Sequence, residues 1–311
     1  MEASLTAGLA IRERKGMRQI VAVVRFNFMG FWKNPKVILT FLLGLVLSFL
    51  LSSRIMVVIG NYRTPTQAVE PFLWTFGDST AVLLASLLLL LLFSDLPKLT
   101  AASPFYLLRM TKRKWMAAQL FYVVCVAAVY TLFIFCVTVL LCMKTSYVGN
   151  IWSETAAMLA YSELGKDLSV PSTVKVMESI TPYGCALQVT TLFFLYTGTL
   201  SFVILAGNLW LGKNRGMVLG LLYSLYGFLL DPSVLGKILG LEAYEMYKIN
   251  VLSVWISPLN QAVYGRHNFG YDRLPTVGQS CLVFLVQLLV LAMLCMTALR
   301  RYHFHFTGEK T

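Results

Sequence analysis

The sequence predicts an all-α integral membrane protein with six transmembrane helices and both termini in the cytoplasm. Of its 311 residues, 58% are hydrophobic and only 13% are charged, whereas soluble domains contain about 25% charged residues. Six apolar stretches approach or exceed the length that crosses a hydrocarbon layer of about 30 Å. Basic residues are concentrated in every second connection between these stretches, as in loops that stay in the cytoplasm.

The charge distribution also bears on location and partners. Segments predicted to be cytoplasmic hold 17 Lys and Arg against 4 Asp and Glu, and those predicted to be outside hold 8 against 9. The net charge of +12 is therefore a topology signal and does not indicate a nucleic-acid partner. We expect a multi-pass protein of the plasma membrane whose basic surface contacts membrane lipids.

Residues 1–36 are predicted to be a cytoplasmic N-terminus with an amphipathic interfacial helix. Apolar side chains recur within it at helical spacing: Met17, Ile20, Val24, Phe28 and Phe31. Such a helix can lie along the inner membrane surface with its aromatic side among the acyl chains. The alternative is a ragged extension of the first span. Asn34–Pro35 argues against it, because the residue before a proline disfavours the helical conformation.

Residues 37–311 are predicted to form one six-helix transmembrane domain. Its spans are 37–59, 72–94, 115–142, 187–211, 216–230 and 277–299. Only residues 212–215 join the fourth span to the fifth, which requires a tight helical hairpin. The fifth span has fifteen residues and covers only about 22 Å. It either continues through Val234 or ends below the outer surface.

Two charged residues within the spans are expected to lie near the outer interface. At 1.5 Å per residue, Arg54 and Asp78 lie roughly 27 Å and 24 Å above the inner ends of the first and second spans. Opposite charges at one depth of consecutive helices predict an intramembrane charge pair. The alternative is that each side chain reaches the interface by itself.

The largest outer segment, residues 143–185, is predicted to be an extracellular cap. Its moderate apolar content indicates two short amphipathic helices separated near residues 169–171. Cys142 and Cys185 lie beside its two ends and could form a disulfide, which the sequence leaves open.

A broken apolar segment precedes the last span. Residues 249–263 are too short to cross the membrane, and Ser257–Pro258 interrupts them. We therefore predict a re-entrant segment that includes Trp255, Ser257 and Pro258. Backbone of this kind is tolerated at membrane depth only where protein buries it or water reaches it.

The cytoplasmic loop 94–114 joins the two most apolar spans. Its basic residues are Lys98, Arg109, Lys112, Arg113 and Lys114. They face a single acid, Asp95, and Pro97 is expected to close the end of the second span. Residues 100–108 are predicted to form a short helix that begins near Ser103–Pro104.

This short helix carries apolar side chains into a basic loop. Phe105, Tyr106 and Leu108 have little reason to be exposed there unless lipid or a protein covers them. The loop is therefore a candidate docking site. The alternative is a plain connection whose basic residues only bind lipid headgroups.

Motifs of soluble enzymes are missing from the sequence. It contains no phosphate loop, H-E-x-x-H, G-x-S-x-G or dinucleotide fingerprint, so we do not expect an enzyme or an ATPase. No carboxylate, histidine or lysine lies near the middle of a predicted span, where ion-coupled carriers keep such groups. If the chain moves a solute, the energy comes from a partner.

The loop contains three short motifs: Ser94-Asp95-Leu96-Pro97, Tyr106-Leu107-Leu108-Arg109 and Arg113-Lys114-Trp115. Together with the interfacial helix, the six spans and the broken segment, they resemble the type-2 permeases of ABC exporters. The resemblance implies the transmembrane subunit of an ATP-driven exporter, paired with a second permease copy as a homodimer or heterodimer. It also implies that the loop docks on a separate ATP-binding cassette ATPase. The coupling residues would be Asp95, Pro97, Phe105, Tyr106, Leu108 and Arg109.

In such a transporter the ATPase subunit binds ATP and Mg²⁺, so no cofactor is expected in this chain. The chain departs from the family in its large outer cap, and the resemblance does not extend to a substrate. The cap suggests an alternative function of another class. The chain would then be a receptor-like or scaffolding membrane protein that binds a ligand through the cap without transport.

Overall fold

The computed structural model describes residues 2–300 except for 63, 100–102, 163–173, 213, 231, 233–234, 237–239, 241–245 and 271. Within its helices, the side chains of residues 2–15, Tyr62, Tyr106 and Met246 lie outside this description. The described chain is almost entirely helical and has the architecture of an all-α membrane protein. We call the side of the helix bundle with residues 93–111 the loop end. The side with residues 64–70 and 143–162 is the cap end.

The helices and strands follow in chain order. They are α1 (Glu2–Met29), α2 (Pro35–Tyr62), β1 (Thr66–Gln67), α3 (Glu70–Phe76), α4 (Ser79–Leu92), α5 (Ser103–Leu107), α6 (Lys112–Cys142), β2 (Ser146–Tyr147), α7 (Glu154–Tyr161), α8 (Val174–Ser179), α9 (Pro182–Leu211), α10 (Arg215–Leu229), α11 (Met246–Ile256), α12 (Pro258–Ala262) and α13 (Val277–Ala298). Single 3-10 turns occupy Met143–Thr145 and Tyr264–Arg266.

Four of these helices, α2, α6, α9 and α13, are long and apolar enough to cross a membrane. They match the predicted first, third, fourth and sixth spans, so these four predictions of long apolar helices are confirmed. α9 begins five residues earlier than predicted, at Pro182, because the fixed φ of proline suits the first turn of a helix.

The second predicted span is broken near the cap end. The axes of α3 and α4 differ by 85° across Gly77 and Asp78. A new helix starts here because Asp78 Oδ2 accepts hydrogen bonds from Thr80 N at 3.1 Å and Ala81 N at 3.4 Å. Aspartate is among the best residues for capping a helix N-terminus. The prediction of one continuous helix over residues 72–94 is therefore wrong.

Capping the N-terminus of α4 gives Asp78 a role other than the predicted one. Its carboxylate is engaged by the backbone of α4, whereas Arg54 is exposed on α2. Among the described residues no ion pair joins the two, so the predicted charge pair is wrong. The argument from equal heights assumed a continuous second helix, and the 85° bend removes that geometry.

The fifth predicted span, α10, is short. Its 15 residues cover about 22 Å, and Leu230 N closes its last turn by donating to Tyr226 O at 3.2 Å. The helix ends at Leu229, and the possible extension to Val234 lies outside the described residues. By length and composition the described part of the chain holds four spans, or five if α3 and α4 form one bent span.

α9 and α10 form the predicted hairpin. Three residues separate them, with φ of 98° at Gly212 and 70° at Asn214, values that glycine and asparagine adopt most readily. The two backbones meet just after this turn, because a Cβ on Gly216 would lie 2.0 Å from Ile204 O. Position 216 therefore requires glycine, as is common where membrane helices approach closely.

α9 is the central helix of the bundle. It packs against α3, α4, α6, α10, α12 and α13, and almost all of its side chains from Leu192 to Leu209 are buried. Its small polar side chains are satisfied by its own backbone, as where Thr199 Oγ1 donates to Leu195 O at 2.8 Å. α9 therefore contacts most of the elements that could move against each other.

α1 is present and ends before the first span, as predicted from Asn34–Pro35. Its aromatic side, however, packs against protein. The Phe28 ring lies 5.0 Å from the Tyr122 ring of α6, and Phe31 is buried beside Phe41 of α2. The expectation that these rings lie among acyl chains is wrong, because periodicity identifies an apolar face but not what covers it. The exposed apolar side chains of α1 are Met17, Val21, Phe26 and Met29.

The cap contains the two predicted short helices, α7 and α8. Their predicted separation near residues 169–171 lies outside the described residues. β1 and β2 pair in parallel, with Thr66 opposite Ser146 and Gln67 opposite Tyr147. Cys142 and Cys185 are both free and buried, so they do not form the disulfide that the sequence left open.

Besides the β1–β2 pairing, a buried carboxyl group fastens the cap to the chain before α3. Glu70 is 0% exposed and accepts hydrogen bonds from Gln67 N at 3.0 Å, from Ser153 N at 2.8 Å and from Ser153 Oγ. Ser153 also caps α7, where Ala156 N donates to its hydroxyl at 3.0 Å. Glu70 therefore holds the start of α3 and the start of α7 together.

We predict that Glu70→Ala loosens the cap. The change leaves two buried backbone N–H groups without an acceptor, and hydrogen bonds to a charged group contribute about 1.5–3 kcal/mol each. The opening equilibrium that exposes the buried Cys185 thiol should therefore rise at least a hundredfold, or about 3 kcal/mol. The rate at which a thiol reagent labels Cys185, in a chain without the other five cysteines, measures this opening.

The matched control is Glu154→Ala, which removes an exposed carboxylate from the first turn of α7. Its labelling rate should stay near that of the parent chain. Equal labelling rates for the two variants would show that Glu70 does not fasten the cap.

Candidate functional site

The chain from Phe93 to Thr111 lies where several helices converge at the loop end. α4 ends with Phe93 N donating to Leu89 O at 2.9 Å, and Phe93, Leu96 and Pro97 are buried. The peptide bond between Leu96 and Pro97 is cis. Side chains of α2, α6 and α9 and a backbone carbonyl of α1 then hold the turn and Lys98 after it, and we call these contacts the inner junction.

The first contact of the inner junction is an ion pair. Lys36 Nζ, at the start of α2, lies 2.6 Å from Asp95 Oδ1 and 3.0 Å from Ser94 Oγ. Both charged side chains are partly exposed, so the pair contributes at most about 1 kcal/mol to stability. Its effect is geometric, because it fixes the start of α2 beside the end of α4.

The second contact is a buried amide. Asn208 of α9 is 1% exposed, and its Nδ2 donates to Leu96 O at 2.7 Å. Its Oδ1 accepts from Gly216 N, in the first turn of α10, at 2.8 Å. One side chain therefore joins the loop, α9 and α10, and it satisfies two buried backbone groups.

The third contact surrounds Lys98. Its Nζ donates to Asn27 O near the end of α1 at 2.7 Å and lies 5.5 Å from the centre of the Tyr122 ring. A cation is favoured there by the negative end of the α1 dipole. Burial lowers the pKa of Lys98, and the charge of Asp95 partly opposes that effect.

Lys98 is also held through its backbone. Gln119 of α6 accepts from Lys98 N at 3.3 Å and donates to Lys98 O at 3.3 Å. Nearby, Gln19 of α1 accepts from Lys114 Nζ at 3.0 Å and donates to Arg109 O at 3.5 Å. Both ends of the loop are therefore attached to neighbouring helices.

Between these attachments, α5 and the residue that follows it carry exposed apolar side chains. The helix begins at Ser103 as predicted but has five residues, fewer than the predicted 100–108; residues 100–102 lie outside the described chain. Phe105 is 72% exposed and Leu108 is 87% exposed, whereas Leu107 packs against the core. The loop therefore presents apolar surface on a support fixed from both sides.

The predicted coupling residues thus divide into two groups. Asp95 and Pro97 belong to the inner junction, whereas Phe105, Leu108 and Arg109 are exposed. Tyr106 lies in α5, and its side chain is outside the described part of the structure. The site that the structure builds is an exposed apolar pair on an anchored loop.

The predicted break at Ser257–Pro258 is confirmed, and it closes the end of α10. α11 ends at Ile256, and Ser257 Oγ donates to Gly227 O at 2.9 Å. Asn260 Nδ2 donates to Leu230 O at 3.2 Å. α12 is wholly buried, which meets the requirement for irregular backbone at membrane depth.

The tryptophan of this segment is partly exposed. Trp255 is 42% exposed, and its Nε1 donates to Arg273 O at 3.3 Å. Asn260 continues the polar network by accepting from Arg266 Nη1 at 2.6 Å. These contacts are structural, because each satisfies a group at the end of a helix or in a turn.

Metal-binding geometry is not found in the described chain. No three His, Cys, Asp or Glu side chains converge there. The buried His267 bonds Tyr264 O and Ser280 Oγ, each at 3.0 Å, and burial lowers its pKa. This histidine therefore connects the turn after α12 to α13.

Sequence reasoning missed most anchors of the inner junction. Gln119 and Asn208 are isolated amides in apolar helices close to their loop ends, and that isolation is a usable signal. Lys36 gives a weaker signal, because a lysine beside a span is common. The acceptor at Asn27 is a backbone carbonyl, which leaves no trace in the sequence.

Comparison of the chain with family models, with curated proteins and with solved structures finds no match in any of the three. The functional argument therefore depends on the residues and contacts described above.

We predict that Asn208→Leu destabilises the inner junction. The apolar side chain leaves Leu96 O and Gly216 N buried without partners, and each such group costs about 1–3 kcal/mol. The variant should unfold with a free energy lowered by about 2–4 kcal/mol. Reversible denaturant unfolding in detergent micelles measures this change.

The control is Gln188→Leu, the same kind of change at a half-buried amide of the same helix. Its unfolding free energy should differ from that of the parent by less than about 1 kcal/mol. If Asn208→Leu is no less stable than the control, the buried amide does not hold the junction.

Proposed function

We propose that the chain is the transmembrane permease subunit of an ATP-driven transporter, specifically an exporter of the plasma membrane. In this proposal six segments cross the membrane, with α10 as the short fifth crossing, and both termini lie in the cytoplasm. A separate ATP-binding cassette ATPase binds ATP and Mg²⁺, and a second permease copy completes the pathway. The chain itself performs no hydrolysis.

One observation carries this proposal: the exposed apolar pair of Phe105 and Leu108 on the anchored loop. Exposing large apolar side chains to water costs free energy, about 25 cal/mol per Å² of exposed apolar surface. Aromatic and aliphatic anchors are typical of protein interfaces. Because the loop is attached at both ends, a partner seated on it would move the helices and not only the loop.

The contacts of the inner junction can transmit this movement from the loop to the helices. A push on α5 reaches α2 through Lys36 and Asp95, and it reaches α9 and α10 through Asn208. It reaches α1 through Lys98. Closure of the ATPase would thereby tilt the loop ends of these helices together about a central pathway.

The exposed face of α13 is available for the second copy or for lipid. Leu285, Leu289 and Met293 recur along it and are exposed, whereas α9 is buried on nearly all sides. An apolar helix face that the chain leaves uncovered must meet acyl chains or another subunit.

A small cavity favours the second candidate, ligand binding through the cap without transport. It lies at the cap end and is lined mainly by apolar side chains, including Trp74, Trp152, Met177 and Tyr264. A receptor of this kind requires no ATPase. The two candidates therefore differ in what the loop must bind.

We predict that the loop end faces the cytoplasm. Lys33 is exposed at the loop end, outside the proposed docking site, and Val148 is 83% exposed at the cap end. In intact cells, and in chains without native cysteines, an impermeant thiol reagent should label Val148→Cys. It should label Lys33→Cys only after permeabilisation. Labelling of Lys33→Cys in intact cells would reverse the orientation and exclude a cytoplasmic ATPase at the loop.

We also predict that Phe105→Ala combined with Leu108→Ala weakens binding of the ATPase. Loss of two exposed anchors should cost at least about 2 kcal/mol, or about thirtyfold in affinity. The measurement is purification of the complex from native membranes in mild detergent. The co-purified subunit is identified by its phosphate-loop sequence, and ATP hydrolysis is expressed per permease chain.

The matched control is Met17→Ala combined with Met29→Ala, which truncates two exposed apolar side chains of α1. It should retain the ATPase and its activity. If the Phe105 and Leu108 variant inserts normally, retains the ATPase and exports at the parental rate, the proposed coupling is wrong. A chain that never co-purifies with an ATP-binding subunit would favour the receptor.

A further inference from the structure

A cleft opens at the loop end between the first turn of α6 and the last turn of α13. Its volume is about 420 Å³, which lies within the range of small-molecule sites. Its lining residues are Lys112, Arg113, Met296, Thr297, Leu299 and Arg300. The loop's docking residues are not part of it.

The cleft is strongly basic. Three cations from two separate elements line it, and none of the described lining residues is a carboxylate. Arg113 and Arg300 form no ion pair with any described residue. The acid of the neighbouring loop, Asp95, is already engaged by Lys36. The start of α6 adds the positive end of a helix dipole. These features favour a phosphate group.

The geometry of the two helix ends holds the cations in place. Thr111 Oγ1 caps α6 by accepting from Lys114 N at 3.4 Å, which places Lys112 and Arg113 in the first turn. At the other side, Arg300 N donates to Thr297 O at 3.1 Å. The two arginines therefore stand on helix termini and not on a free tail.

The apolar part of the cleft favours a lipid over a free phosphate. Met296 and Leu299 contribute to the lining, and the exposed apolar residues of α13 continue from it toward the cap end: Met293, Val290, Leu289 and Val286. A phosphate at the cations would place attached acyl chains along this face. Basic pockets between transmembrane helices on the cytoplasmic side bind anionic headgroups in this way.

We propose that this cleft binds the headgroup of an anionic phospholipid of the inner leaflet, with the phosphate between Arg113 and Arg300. The lipid bridges the start of α6 and the end of α13. It thereby links the last span to the helix that follows the loop. This inference does not depend on the ATPase, because it requires only the membrane and the two helix ends.

The test uses the purified full chain in mild non-ionic detergent, titrated with dioleoylphosphatidylglycerol. Mass spectrometry of the intact protein–lipid complex gives the bound fraction. Arg113→Gln combined with Arg300→Gln should weaken binding about thirtyfold, which is about 2 kcal/mol at 1.4 kcal/mol per factor of ten. Dioleoylphosphatidylcholine should bind weakly to the parent chain and to the variant alike.

Two further variants keep this test decisive. Arg25→Gln combined with Lys33→Gln removes two exposed cations at the same end but outside the cleft, and it should bind the anionic lipid as the parent does. Arg113→Lys combined with Arg300→Lys keeps both charges and should remain within about fivefold of the parent, even if the glutamine variant fails to insert.

Three outcomes would overturn the proposal. The glutamine variant could bind the lipid as tightly as the parent, or the Arg25 and Lys33 control could lose as much affinity as that variant. The third outcome is displacement of the lipid by millimolar glycerol phosphate. It would show that the site binds a soluble phosphate compound and not a lipid. The proposal would be supported if the parent chain kept the lipid in the presence of glycerol phosphate and only the glutamine variant lost it.

Discussion

The structure depends on satisfying polar backbone groups where its helices end or break. In an apolar surrounding, each unpaired N–H or C=O costs several kcal/mol, so every interruption of a helix needs a side chain that completes it. Asp78 does this at the bend between α3 and α4, Asn208 at the hairpin of α9 and α10, and Asn260 at the end of α10. Glu70 does the same for the cap. The breaks are therefore built features with their own partners.

Four of the predicted spans follow directly from composition, because a run of about 20 apolar residues has few structural alternatives. Breaks were predicted where a proline interrupts the pattern, as at Pro35 and Pro258. The bend at Gly77 was missed because neither glycine nor aspartate forbids a helix, and only the capping bonds of Asp78 show that a new one begins. The backbone and side-chain groups that meet at the inner junction come from distant positions, from Asn27 to Gly216, and no local pattern relates them.

The same limit applies to the candidate site. The sequence indicated that the loop carries apolar residues at Phe105 and Leu108, and both are exposed in the structure. It did not indicate which helices hold the loop, because that depends on single contacts such as Lys98 with Asn27 O. Similarly, the periodicity of α1 identified its apolar face, but it did not indicate that Phe28 packs against Tyr122 of α6.

Because the loop is anchored and α9 is central, a displacement of α5 is transmitted to other helices. A flexible connection would absorb displacement by changing its own dihedral angles. Here Lys36, Gln119 and Asn208 attach the loop to α2, α6 and α9 before the exposed pair. Gln19 of α1 attaches it after the pair, at Arg109. α9 is close-packed on almost all sides, and close-packed interiors transmit strain because they have little free volume. Movement at the loop must therefore appear as relative movement of whole helices, which is what the proposed transport cycle requires.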